Sequence, residues 1–181
     1  QHFARMMHPS NDRSRRLLPE VHAFCGAPLG GYSFADALGL VFDRRSVKIE
    51  KKVTAVATSD AREQVTLVFG RHSLQPGDLV AVAEDVCNNF AITKEILRLV
   101  ESFGASVVAI VCLLNRSPNV DEWYRPAPGE LAVPVFNLVR QPIAEYRQDH
   151  PMVADDIKAG KVVWKPKDDW PALMAAMDAG R

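Results

Sequence analysis

Residues 78–116 read DLVAVAEDVCNNFAITKEILRLVESFGASVVAIVCLLNR, and their pattern decides the fold. The run 78–85 is short and apolar up to its last two residues, which suits a buried strand. Over 91–103 the apolar residues Ile92, Ile96, Leu99, Val100 and Phe103 recur at helical spacing. Gly104 stands where a helix commonly stops. Residues 106–115 form a second buried strand, rich in Val, Ile and Leu. Strand, helix and strand at these lengths make a βαβ unit, whose two strands run parallel.

Working outward, VHAFCG (21–26) is a short apolar run ending in glycine and reads as another buried strand. The spacing after it predicts a helix over 33–40. Residues 47–58 and 64–70 alternate apolar and polar side chains around the polar turn SDARE, which predicts a β-hairpin. Pro76-Gly77 punctuates the chain before the central strand. A further strand is expected over 131–139 and a last helix over 170–177. Residues 1–19 read as a basic helix, arm or partial hood, 20–140 as the core, and 141–181 as a proline-punctuated tail packed on that core. The expected class is α/β: one domain, a mostly parallel sheet, helices on both faces and an antiparallel flexible hairpin.

The 181 residues suffice for one sizeable core. Lys plus Arg equals Asp plus Glu at 22 each, so no global field favours nucleic acid or an anionic membrane. No apolar run reaches the length of a membrane helix, and no leader pattern is present. Residue 1 is Gln, so translation is expected to start upstream. Cys25, Cys87 and Cys112 lie far apart in or beside apolar runs, which reads as buried thiols in a cytoplasmic protein. The five histidines lack metal-ligand spacing.

Glu84 and Asp85 end the central apolar run. Ligands of open α/β sheets sit beyond the carboxyl ends of strands. The loop 86–91 then feeds a helix N-terminus, where backbone N–H groups have no intrahelical partner and the dipole is positive. Acceptors on one side and an anion cradle on the other match a sugar phosphate. The plainer alternative is a pair of acids that caps the helix and faces water.

The stretch AVAEDVCNNFAITKEILRLVESFGASVVAIVCLLNR (81–116) resembles the phosphoribosyl-diphosphate (PRPP) motif of type I phosphoribosyltransferases, and most of all that of the orotate branch. The family pattern is an apolar strand, two acids, a small apolar pair, Thr-Thr-Gly-Gly-Ser, a helix, a strand and an Asp-Arg pair, here Asn115-Arg116. The resemblance implies that Glu84 and Asp85 hold the ribose hydroxyls. It implies that 86–93 (Val86, Cys87, Asn88, Asn89, Phe90, Ala91, Ile92 and Thr93) line the PRPP site, with the backbone of Asn88 to Ile92 holding its 5-phosphate, and that Asn88 and Arg116 meet the base. Thr-Thr-Gly-Gly-Ser is replaced by Asn88-Asn89-Phe90-Ala91-Ile92. Asn tolerates positive φ better than most residues, so the turn is expected one residue earlier than the missing glycines, with Asn amides in place of hydroxyl donors.

FCGAPLGGYSFADALG (24–39) resembles the family's diphosphate loop, which assigns Ala27, Pro28, Leu29, Gly30 and Gly31 to the diphosphate. The hairpin resembles the family's flexible hood. Lys48, Glu50 and Lys52 fit its basic segment, so Lys48 and Lys52 are implied PRPP ligands and Lys52, with Glu84 and Asp85, a catalytic group. Thr54 replaces a histidine, for which Arg62 at the tip is a substitute. An ordinary solvated strand face accounts for these lysines equally well. For Trp123, Tyr124 and Arg125 the choice is stacking on a base or packing under the loop, with packing preferred. Trp164 and Trp170 read as anchors of the tail.

The resemblance implies transfer of the 5-phosphoribosyl group from PRPP to a nucleobase, orotate first, with release of diphosphate. Mg²⁺ would be bound mainly through PRPP, with no direct protein site, and the partners would be PRPP, a nucleobase and a second copy in a homodimer. The alternatives are a protein of this fold that senses PRPP or a nucleotide without turnover, and a phosphoribosyltransferase for a purine.

Overall fold

A computed structural model of the chain describes residues 20–55, 64–147, 149–163 and 168–179. The expected N-terminal arm, the hairpin tip with Arg62, and Trp164 lie outside the described residues. Among the described residues eight strands and four helices follow in order: β1 (Ala23–Gly26), α1 (Gly31–Phe42), β2 (Arg45–Lys48), β3 (Glu50–Ala55), β4 (Gln64–Val68), β5 (Leu79–Cys87), α2 (Ala91–Ser102), β6 (Ser106–Asn115), β7 (Trp123–Tyr124), β8 (Val133–Arg140), α3 (Pro151–Lys158) and α4 (Trp170–Ala179). The chain divides into two compact units, Gln1–Ile143 and Ala144–Arg181.

The first unit is built on a six-stranded sheet of order β2-β1-β5-β6-β8-β7. β2, β1, β5, β6 and β8 are mutually parallel, and the two-residue β7 closes one edge antiparallel to β8. This is the expected mostly parallel α/β architecture. Alternation along the strands divides the core between the two faces. Val80 and Val82 point with Cys25, Ile110 and Cys112 toward one cluster, into which α2 sends Ile96, Leu97 and Val100. Ala81 and Ala83 point with Phe24 and Val111 to the other, covered by Ala35 and Leu38 of α1. The small side chains of Ala81 and Ala83 let α1 approach β5 closely. A Cβ on Gly31 would lie 2.2 Å from the Ala83 carbonyl oxygen.

Gly104, at φ 72°, stops α2 as its position predicts. The cysteines are buried and free. Burial pushes the Cys25 thiol up, and a thiol contact with Cys112 followed by burial pushes Cys87 up, so both are held protonated and unreactive.

Four readings need correction. The expected strand 47–58 is two strands. β2 lies parallel to β1 in the main sheet, and β3 pairs antiparallel with β4 in a separate two-stranded sheet. The change happens at Ile49, which is fully buried and donates its N–H to the Gly26 carbonyl. Alternation continues through such a pivot, so it hid the break. The first helix spans two residues more at each end than 33–40, because Gly30 already has helical torsions and Asp43, at φ 53°, forms the stop. Trp123 and Tyr124 form a strand. In the second unit, Pro151 opens a helix within the stretch read only as a proline-punctuated tail. Proline suits the first helical position, and the His150 side chain caps it by accepting from the Met152 N–H.

Candidate active site

The adjacent carboxylates of Glu84 and Asp85 do not share a face. Neighbouring side chains on a strand point to opposite sides of the sheet, and here each acid meets a different loop. Glu84 is 8% exposed and lies toward α2, where its Oε1 accepts the Thr93 hydroxyl at 3.2 Å. Asp85 is exposed on the side of α1, where its carboxylate packs against Gly30. A Cβ on Gly30 would lie 1.9 Å from Asp85 Oδ2, so only glycine allows this contact. The Oδ1 atom accepts the N–H of Val86 at 2.8 Å. Burial, with a smaller push from the Asp85 charge, raises the Glu84 carboxyl from 4.5 to about 7, against the Thr93 hydrogen bond and the Lys51 charge, which lower it. Glu84 therefore changes charge near neutral pH.

The 88–93 loop starts from Cys87, whose carbonyl accepts the Arg116 N–H at 2.9 Å. Asn89 Oδ1 accepts the Ala91 N–H at 3.0 Å. The N–H groups of Ile92 and Thr93 belong to the first turn, where no intrahelical partner exists. Asn88 Oδ1 is buried with no hydrogen-bond partner. The expected turn at Asn89 is not found: the left-handed residue is Phe90, at φ 59° and ψ 19°, the position of the first family glycine. A side chain there costs about 1–2 kcal/mol. The Phe90 ring is 3% exposed and stacks on Tyr124 with centroids 4.7 Å apart and planes at 20°. Burial contributes roughly 1.5–3 kcal/mol and the aromatic pair about 0.5–1.5 more, which offsets the backbone cost.

The 27–31 loop crosses the same sheet end. The Ala27 N–H donates to the Ala83 carbonyl at 2.9 Å, the Gly31 N–H to Ala27 at 3.1 Å and the Tyr32 N–H to Leu29 at 3.3 Å. The Pro28–Leu29 peptide is cis. Leu29 is 78% exposed, and none of the five loop residues carries a charge.

The hairpin lysines have different surroundings. Lys48 Nζ pairs with Asp36 Oδ2 at 2.9 Å and lies 5.9 Å from the centroid of the Tyr32 ring, whose hydroxyl donates to the Ile49 carbonyl. The Ser46 hydroxyl holds the other Asp36 oxygen at 2.6 Å, and these two contacts keep the Asp36 carboxyl below its usual range. Lys51 and Lys52 are both exposed on β3, and Lys51 is the one whose charge acts on Glu84.

At the end of β6, Asn115 is fully buried. Its Nδ2 donates to the carbonyls of Val120 at 3.0 Å and Asp121 at 3.3 Å, and its Oδ1 accepts the Ser117 N–H at 3.0 Å. An ionised Asp has no donor for the two carbonyls, which accounts for Asn in place of the family acid. The Ser117 hydroxyl accepts the N–H groups of Asn119 and Val120. Arg116 is half-buried, and its Nε has no hydrogen-bond partner.

The structure thus brings together Glu84, Asp85, the 88–93 loop and the 27–31 loop at one sheet end, with Arg116 bonded through its backbone to that loop. Lys48 is engaged with α1. The sequence reading missed Tyr32, Asp36, Lys51 and Asn115 as parts of this assembly, and it had assigned Tyr124 no partner. Asn115 carried a signal: a polar residue ending an apolar run is buried only when its hydrogen bonds are made.

No family model matches the chain. The orotate phosphoribosyltransferase of Sorangium cellulosum is 31% identical over 110 residues, 61% of this chain and 57% of that protein. The adenine phosphoribosyltransferase of a Nocardioides species is 31% identical over 90 residues, 50% of this chain and 47% of that one. The chain spans about half the length of these curated relatives. Among solved structures, the adenine phosphoribosyltransferase of Saccharomyces cerevisiae superposes with a TM-score of 0.53 at 16% identity, covering 75% of this chain and 78% of that one. The resemblance to the type I phosphoribosyltransferase family is borne out: curated relatives carry its names, and solved members carry the fold found here.

Proposed function

We propose that the chain transfers the 5-phosphoribosyl group of PRPP to a ring nitrogen of a nucleobase and releases diphosphate. The observation that carries the reading is the division of the acid pair between two loops, Glu84 with Thr93 and Asp85 with Gly30. PRPP is a diol flanked by a phosphate and a diphosphate. The acids would accept from the ribose hydroxyls, the first-turn amides of α2 would take the 5-phosphate, and the 27–31 backbone would take the diphosphate. Charge develops at the anomeric carbon as the bond to diphosphate breaks. Groups already in place around it lower the barrier by orientation and electrostatics.

Mg²⁺ would arrive with PRPP, whose oxygens are hard ligands, and Asp85 offers a further exposed oxygen of the same kind. It would supply positive charge to the diphosphate, which the uncharged 27–31 loop does not. A homodimer belongs to the same proposal and is read by sedimentation.

Orotate is the base we favour, supported by the unpartnered Arg116 Nε, a donor suited to a carboxylate. Calorimetry tests both parts. PRPP should bind the wild-type chain, and Asp85→Asn should weaken it while the melting temperature holds. Arg116→Ala should weaken orotate more than PRPP. Unchanged PRPP affinity in Asp85→Asn removes the acids from the mechanism, and equal losses in Arg116→Ala contradict its assignment to the base. The second reading, PRPP sensing without turnover, is favoured by Leu29, an exposed apolar side chain in a loop without a cation.

A further inference from the structure

Tyr124 touches both the ring and the backbone of Phe90, the unusual residue in the 88–93 loop. Its ring stacks on the Phe90 ring, and its hydroxyl approaches the Phe90 carbonyl at 3.4 Å, 34 positions away in the chain. That carbonyl also accepts the Lys94 N–H at 2.9 Å, the first hydrogen bond of α2. Tyr124 therefore bears on the residue that sets where α2 begins and which way its first amides point. Its own position is determined. β7 is pinned by the pairs Trp123↔Pro134 and Tyr124↔Val133. The segment leading to it is tied down by Asn115 and Ser117, neither of them more than 1% exposed.

We propose that Tyr124 is a positioning residue for a phosphomonoester: its stack on Phe90 holds 89–93 in the shape that presents the first-turn amides of α2. Glycine reaches the left-handed region without help from a neighbour, whereas Phe90 needs its ring held. The loop is then ordered before the ligand arrives, which lowers the entropy lost on binding. The identity of the ligand rests on the PRPP reading above; the control of the loop by Tyr124 does not.

The test uses the full chain and three variants. Tyr124→Leu keeps most of the buried volume and removes the stack, Tyr124→Phe keeps the ring, and Phe90→Gly is added to Tyr124→Leu. Ribose 5-phosphate and PRPP are titrated by calorimetry, thermal unfolding is followed, and the Phe90 backbone torsion is read by scalar coupling in the ligand-free protein. Tyr124→Leu should average that coupling and weaken both ligands about tenfold. Tyr124→Phe should stay within about twofold of wild type, since the stack remains. The double variant should regain most of the lost affinity while its melting temperature stays low, an outcome that a merely structural role for Tyr124 does not produce. Full affinity in Tyr124→Leu, or no recovery in the double variant, overturns the inference. If the wild type binds neither ligand, the PRPP reading fails and the coupling decides: an averaged value in Tyr124→Leu supports control of the loop, and an unchanged one overturns it.

Discussion

Asp85 and Gly30 make a contact that only glycine allows: a Cβ on Gly30 would lie 1.9 Å from the Asp85 Oδ2 atom. The contact joins an acid of β5 to the backbone of the 27–31 loop, so the two halves of the site are built against each other.

This geometry separates two adjacent glycines. In Gly30→Ala the new methyl meets the mobile end of an exposed carboxylate, which can rotate away. The melting temperature should change little, while PRPP affinity falls about tenfold or more as Asp85 leaves its place. In Gly31→Ala the methyl meets the Ala83 carbonyl at 2.2 Å, which is backbone of the central strand and cannot move cheaply. That variant should lose roughly 1–3 kcal/mol of stability. Urea unfolding and calorimetry on both variants check the contrast.

Glu84 gives the free protein a pH-dependent cost. Its carboxyl is raised from 4.5 to about 7, so between these values the folded state holds a proton that the unfolded state has lost. Stability from this group is therefore highest below about pH 4.5, falls as pH rises, and has fallen by roughly 3 kcal/mol above pH 7. Glu84→Gln should remove that slope and be more stable than wild type at pH 8, while PRPP binding is lost. Urea midpoints at pH 5 and pH 8 read the difference.

Lys51 holds the Glu84 carboxyl lower than burial alone would. Lys51→Ala should move the Glu84 titration to higher pH, and Lys52→Ala should move it less. Carboxyl-carbon NMR of Glu84 across pH 5–9 follows both.

Asn115 departs from the family acid because its surroundings need a donor. Asn115→Asp should destabilise by roughly 1–3 kcal/mol at pH 7, since the carbonyls of Val120 and Asp121 lose their partner and a charge is buried. The loss should shrink below pH 5 as the new acid protonates. Denaturant midpoints at the two pH values report it.

The βαβ core was legible because burial and periodicity agree there: β5, α2 and β6 follow the apolar pattern to within about two residues. The acid pair was legible for the same reason, as charge at the end of an apolar strand. Three features were not. Ile49 pivots between sheets without breaking the alternation on either side. Pro151 punctuates the tail in a way that reads as a break and is a helix start. Phe90 adopts a glycine-like torsion because Tyr124 holds its ring, a long-range contact that no local pattern records. Asn89 was the locally sensible choice for the turn, and tertiary packing placed it one residue later.

Diphosphate release reads the proposed turnover of PRPP at the shared edge of the two loops. Wild type and Asp85→Asn should be supplied with PRPP and Mg²⁺, each with orotate, with adenine and with no base. Wild type should release diphosphate in a base-dependent way, more with orotate, and Asp85→Asn should lose that release. PRPP binding without release in the presence of either base would contradict turnover and leave a PRPP sensor in its place.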